Sequence, residues 1–199
     1  MPLTPSSTRK PLHTRQVTCQ GYLRDDGLID IEGHLLDTKP FDFPNTDRGG
    51  VIRAGEALHG MSIRLTLDDS LTIRDAEAVM DYTPYNYCKS IAAVFKQLVG
   101  VTIGPGWRLK VKEIMGGTRG CTHLTELLGP MATTAFQTLV SIKGPDEQSV
   151  PERIRSKGAP LFINTCHSHA AHSPVVKQHW PEFYPGSQDV IGKSNCGGK

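Results

Sequence analysis

The chain is predicted to be α+β: an antiparallel β-meander of about four strands, covered by helices drawn from its second half. Three observations predict this. Apolar and polar residues alternate with a period of two through much of residues 17–81. Clusters of Asp with Gly or Ser divide that region into short runs. From about residue 88 the spacing of apolar residues changes to three and four, the period of a helix face.

Residues 1–11 are rich in Pro, Ser and Thr and read as a loose arm. Residues 17–24 and 28–38 flank Asp25-Asp26-Gly27, a hairpin turn ending on glycine. Residues 39–57 carry glycines, prolines and aspartates, and read as a long irregular loop, either a lid or a solvated connector. A second hairpin is predicted over 58–68 and 71–81, with Asp68-Asp69-Ser70 as its turn. The first helix follows Pro84 and Asn86. Its positions Ile91, Val94, Phe95 and Leu98 share a face, and Gly100 supplies the C-terminal stop. A shorter helix is expected from Trp107 to Met115, halted by Gly116-Gly117. The longest should run from about Thr122 to Ile142, with Pro130 kinking or breaking it. A short helix is expected near 151–157, and residues 186–199 read as a poorly ordered tail. The expected organisation is one domain over 1–185.

Composition narrows the function. With 38% hydrophobic and 21% charged residues, the chain can bury a core without staples. Its 22 basic and 20 acidic side chains give a net charge of +2, and no basic stripe interleaves with aromatics. Nucleic acid is therefore not an expected partner. No apolar run approaches the roughly 20 residues that span a bilayer, and the N-terminus lacks an apolar signal core. The five cysteines are widely spaced and odd in number. That pattern suits reduced thiols, and a cytoplasmic protein is expected.

The richest stretch is Gly116-Gly117-Thr118-Arg119-Gly120-Cys121-Thr122-His123, which leads into the longest helix. A thiol at a helix N-terminus tends towards the thiolate, and a histidine two residues on offers a ligand or a proton carrier. Cys121 also reads as a small buried hydrophobe. Cys166, His167, His169 and His172 form a second cluster of metal-type residues near the tail. Neither cluster has a zinc-finger or HEXXH spacing.

Several dense strings carry a family likeness: His13-Thr14-Arg15, then Asp30-Ile31-Glu32-Gly33-His34-Leu35 with Asp37-Thr38-Lys39, then Asp75-Ala76-Glu77-Ala78, Ile103-Gly104-Pro105-Gly106-Trp107, and Gly120-Cys121-Thr122-His123-Leu124. With them the chain resembles a bacterial family known as domain of unknown function 2889, over roughly residues 11–185. The layout of residues 58–140 is also similar to that of NifU/IscU-like iron–sulfur scaffolds, with their SufE/NifU-type fold. This second resemblance implies that three places converge at one end of the sheet: the loop with His59, the turn with Tyr82, Tyr85, Tyr87 and Cys88, and the helix start with Cys121 and His123. Only two of the three scaffold cysteine positions hold a thiol here. An altered pocket therefore fits better than a cluster, which needs thiolates.

Together these readings lead to a small enzyme working by acid–base chemistry without a cofactor. A lyase or isomerase step on a small oxygenated aromatic compound, of the kind met in lignin breakdown, is expected. His59 or His123 moves the proton, Tyr85 orients a phenol or carbonyl, and Cys121 with its helix N-terminus steadies an oxyanion. His34, Asp37, Lys39, Cys88 and Trp107 are expected to bind the substrate. Zinc or iron, held by Cys88, Cys121 and His123, is the alternative, as in a NifU-like metal or sulfur carrier. A third reading is a ligand-binding domain without chemistry. The expected partner is a small molecule, with neither nucleic acid nor membrane involved. A homo-oligomer is left open.

Overall fold

A computed structural model describes residues 3–4, 6–143 and 163–185. The chain divides into two compact units, residues 1–144 and 145–199. The expected helix near 151–157 and the tail 186–199 lie outside the described residues.

The first unit is α+β. Its four-stranded sheet has the order β1-β2-β5-β6, and every neighbouring pair is antiparallel. β1 (Thr14–Leu23) and β2 (Ile29–Thr38) form the first hairpin. Gly27 closes the turn at φ 81°, where only glycine sits without strain. Ile29, Ile31, Gly33, Leu35 and Asp37 alternate onto the covered face of β2, and all five are buried. β5 (Ala57–Leu67) carries His59, Met61, Ile63, Leu65 and Leu67 opposite them. β6 (Ile73–Tyr82) completes the sheet. The second turn is longer than expected because the Asp68 carboxylate accepts hydrogen bonds from the amides of Ser70 and Thr72, both at 2.9 Å. That delays β6 to Ile73 and leaves buried Leu71 at φ 58°.

The region 39–57 is less irregular than its composition suggests. A small hairpin forms from β3 (Phe43–Asn45) and β4 (Gly50–Ile52) around a 3-10 turn. Asn45 and Asp47 bind it to the turn after β6: Asn45 Nδ2 donates to the Pro84 carbonyl at 2.9 Å, and Asp47 Oδ2 accepts from the Asn86 amide at 2.8 Å.

The helical half follows. Asn86–Leu98 is helical as expected, but wound as a 3-10 helix, in which residues three apart align; Phe95 and Leu98 are its buried residues. α1 (Trp107–Met115) buries Trp107, Val111 and Met115. α2 (Thr122–Lys143) runs through Pro130 as one helix. Pro130 removes the bond that the Glu126 carbonyl would accept, but both residues are exposed and water can replace it. Leu124, Leu127, Leu128, Met131, Ala135 and Leu139 of α2 are buried, forming the upper half of the core.

Two glycines set how closely α2 lies on the sheet. A Cβ at Gly33 would stand 2.6 Å from Met131 Sδ, and one at Gly21 would stand 1.9 Å from Thr138 Oγ1. Thr138 therefore sits over β1 and Met131 over β2. Following the helix back from these contacts brings its N-terminus over the other end of the β1–β2 pair.

In the second unit, Ser173 caps α3 (Pro174–His179) by accepting from the Val176 amide at 3.1 Å. Before it, Cys166 Sγ lies 3.4 Å from His169 Nδ1. His169 and His179 both pack against Trp180, with ring centroids 5.9 and 5.6 Å away. No helix among the described residues is long and apolar enough to cross a membrane.

Candidate functional site

The site begins with strand register. Arg15 on β1 pairs with Asp37 on β2, and Asp37 pairs with His59 on β5. The three side chains form one row across the covered face of the sheet. His13 lies two residues before Arg15 and so shares its side. From above, the first turns of α2 add His123 and Glu126, three residues apart on one helix face.

Asp37 is the centre. Its side chain is completely buried (0% exposed) and accepts four hydrogen bonds. Arg15 grips both oxygens, Nε to Oδ1 and Nη2 to Oδ2, each at 2.8 Å. His59 Nδ1 lies 2.9 Å from Oδ2, and His13 Nε2 3.2 Å from Oδ1. A carboxylate has about four lone-pair positions, so Asp37 is filled. Burial alone would raise its pKa. The hydrogen bonds and charge of Arg15, with the bond from His59, outweigh burial and hold it down at about 2. The other end of Arg15 pairs with Glu126, tying β1 to α2.

The two inner histidines form a stacked pair. The rings of His59 and His123 have centroids 3.8 Å apart and planes 29° apart. Burial lowers the pKa of His59, and its histidine neighbour lowers it further, against the opposing pull of Asp37. Burial and then Arg15 lower that of His123. His59 is 12% exposed and His123 is 29% exposed, so solvent reaches the pair from the helix side. His123 Nε2 stands 3.9 Å from Asp37 Oδ2, beyond a direct hydrogen bond.

An ionised carboxylate only accepts hydrogen bonds. The His59 nitrogen facing Asp37 therefore carries the proton, and Nε2 keeps a free lone pair. Such a pairing gives an imidazole the tautomer and orientation of a general base. Asp37, His59 and His123 also each offer a metal-ligand atom, and these atoms lie within 4.8 Å of one another. Two histidines and a carboxylate suit iron or zinc. A cation reaching Asp37 would have to displace one of its four donors, and two of those belong to a guanidinium.

Of the nine residues named from sequence, the structure brings together Asp37, His59 and His123. The shared pocket expected for His34 and Asp37 is corrected by strand parity. Residues three apart point to opposite faces, and His34 lies on the open face, bonded to Ser62 Oγ at 3.0 Å. That face holds a groove of about 220 Å³ whose lining includes Gln20, Glu32, His34, Arg64 and Val79. Lys39 leans instead over Phe41 and Phe43. Tyr85 is 62% exposed at the start of the 3-10 helix, with its carbonyl bonded to Thr83 Oγ1. Cys88 is half-buried in that helix's first turn. Cys121 is half-buried just before α2, with its carbonyl accepting the Thr125 amide. Trp107 is core, and its indole donates to the Leu128 carbonyl at 3.3 Å. Of the expected metal ligands Cys88, Cys121 and His123, only His123 belongs to the candidate donor set among the described residues.

Sequence reading assigns no role to His13, Arg15 or Glu126. A signal for Arg15 was present. Arg15 and Asp37 stand eleven residues either side of Asp26 in the first turn, so a hairpin closed there pairs them. Glu126 is one helical turn beyond His123.

No curated protein and no solved structure matches the chain closely enough to serve as a relative, so the likeness to NifU-type scaffolds gains no support. One family profile does match, over residues 13–137, and it spans His13, Arg15, Asp37, His59, His123 and Glu126. The chain belongs to the family described as protein of unknown function (DUF2889).

Proposed function

We propose that the chain is an enzyme that moves protons at the Asp37–His59–His123 cluster, performing a lyase or isomerase step on a small oxygenated, aromatic molecule. The observation that carries this reading is the filled, buried carboxylate of Asp37, 2.9 Å from Nδ1 of His59. His59 then takes a proton from the substrate through Nε2. His123, stacked on it and more open to solvent, passes protons to and from water. Asp37 fixes the tautomer and steadies the imidazolium that forms, and Arg15 keeps Asp37 ionised. The amides at the start of α2 favour an oxyanion nearby.

The test is a product screen over oxygenated aromatic compounds, followed by variants. His59→Ala and His123→Ala are each expected to lower turnover by about 10²–10⁴-fold, the usual size of a general acid–base contribution. Cys121→Ala and Tyr85→Phe should change it far less. Turnover that survives both histidine substitutions would sink the assignment.

The donor set of Asp37, His59 and His123 favours a second reading, a metal-binding or metal-carrying protein. Elemental analysis of purified protein decides it. One equivalent of zinc or iron, lost in His59→Ala, would favour this reading over proton chemistry alone.

A further inference from the structure

We propose that the cluster takes an uncharged hydroxyl compound (a phenol, alcohol or enol) through a hydrogen bond donated to Nε2 of His59, and that Glu126 turns anions away. This names the substrate class of the site and rests on its reading as an acid–base centre.

The first support is the lone pair. Asp37 holds the His59 proton on Nδ1, so the nitrogen left for a ligand is an acceptor. A carboxylate oxygen would bring only lone pairs to it. A hydroxyl brings a proton, which is also the proton a base would remove. Once it moves, the imidazolium pairs with the oxygen left behind, so charge separates within the site.

The second support is charge. Arg15 is the guanidinium at the cluster, and Asp37 and Glu126 both take hydrogen bonds from it. The start of α2 adds about half a positive charge. Against these stand two carboxylates, Asp37 and Glu126. The resident charge is then negative, and an incoming anion meets net repulsion. Glu126 supplies the excess. It is half-exposed, and its carboxylate is held by Arg15 alone among the described contacts.

Phenol and benzoate test this, since they share a ring and differ in charge. Each is titrated at pH 8 and low salt into the full-length protein while the histidine ring resonances are followed by NMR. Phenol should shift the His59 and His123 signals and bind at least tenfold more tightly than benzoate. Glu126→Gln should raise benzoate affinity by about tenfold, leave phenol within about threefold, and make the ratio less sensitive to added salt. His59→Gln should weaken phenol, whereas His34→Ala on the open face should not. Glu126→Gln alters one half-exposed side chain, so its result stands even where a histidine variant folds poorly. Benzoate binding as tightly as phenol, a ratio unmoved by Glu126→Gln, or no response to phenol would each overturn the proposal. Binding is read without turnover. Phenol binding with no product from any compound would therefore sink the enzyme reading and leave the ligand class standing. Turnover of a substrate that binds His59 through a carboxylate would do the reverse.

Discussion

Asp37 is the residue on which the site turns, and its substitution is the sharpest test. Asp37→Asn keeps the shape but exchanges an acceptor oxygen for an amide that donates. At least one Arg15 nitrogen and the His59 or His13 ring then lose their partner in a buried place. Removing one member of a buried ion pair is strongly destabilising, because it strands the other charge. Arg15 is about a third exposed, so water softens the loss. The expected cost is roughly 2–3 kcal/mol, read as a lower urea midpoint with unchanged slope. A loss under about 0.5 kcal/mol would show that the carboxylate does not hold these elements together. The same residue shows what sequence can and cannot give. Asp37 has the parity of Ile29, Ile31 and Leu35, so its place on the covered face was legible. That Arg15, on the strand before it, is its partner could be read only by carrying the hairpin register outward from Asp26.

At the scale of elements, helix placement decides whether the site is complete. α2 delivers His123 and Glu126 only because Gly21 and Gly33 let it lie close to the sheet. Gly21→Ala would drive a methyl into Thr138, and relieving that overlap means lifting or sliding α2. The expected destabilisation is about 1–3 kcal/mol, with a loss of turnover larger than stability alone explains, because His123 moves away from His59. Thr138→Ala in the same chain should recover part of both. Full stability and activity in Gly21→Ala would mean that the helix does not sit this close. Most elements were legible, since period and turn chemistry act locally: both hairpins, α1 and α2 fall within a few residues of their expected bounds. Two features were not. The small β3–β4 hairpin is held by bonds from Asn45 and Asp47 to the distant turn after β6, which no local pattern encodes. The other is the make-up of the cluster: the layout likeness expected Tyr85, Cys88 and Cys121 around His59 beside His123, and it did not include Asp37, which bonds His59, or the Arg15 that holds it.

At the scale of the whole molecule, the ionisable groups predict how stability responds to pH. Asp37 and Asp68 both titrate near pH 2 in the folded chain, below the ordinary carboxylate value of about 3.9. At Asp68, burial works against the shift, and bonds from Ser70, Thr72 and Arg74 overcome it. Each carboxylate therefore adds stability that is complete above about pH 4 and is lost as the pH falls towards 2. The lowered pKa values of His59 and His123 have the same sign. The unfolded chain takes up those protons first, so stability already begins to fall below about pH 6.5. The urea midpoint should thus decline in two stages on acidification, and His59→Gln should flatten the upper one. A midpoint constant from pH 7 to pH 3 would contradict both assignments.

The hairpin register that joins Arg15 to Asp37 also sets an order of assembly. These residues are 22 positions apart, linked by one tight turn, whereas Arg15 and Glu126 are separated by 111. Hairpins close within microseconds, and contacts between distant parts of a chain form later because more of it must first be ordered. A folding molecule thus makes its charge pair while that pair is still wet. The helix that dries and completes it arrives afterwards, so Arg15 and Asp37 are already neutralising one another when water leaves.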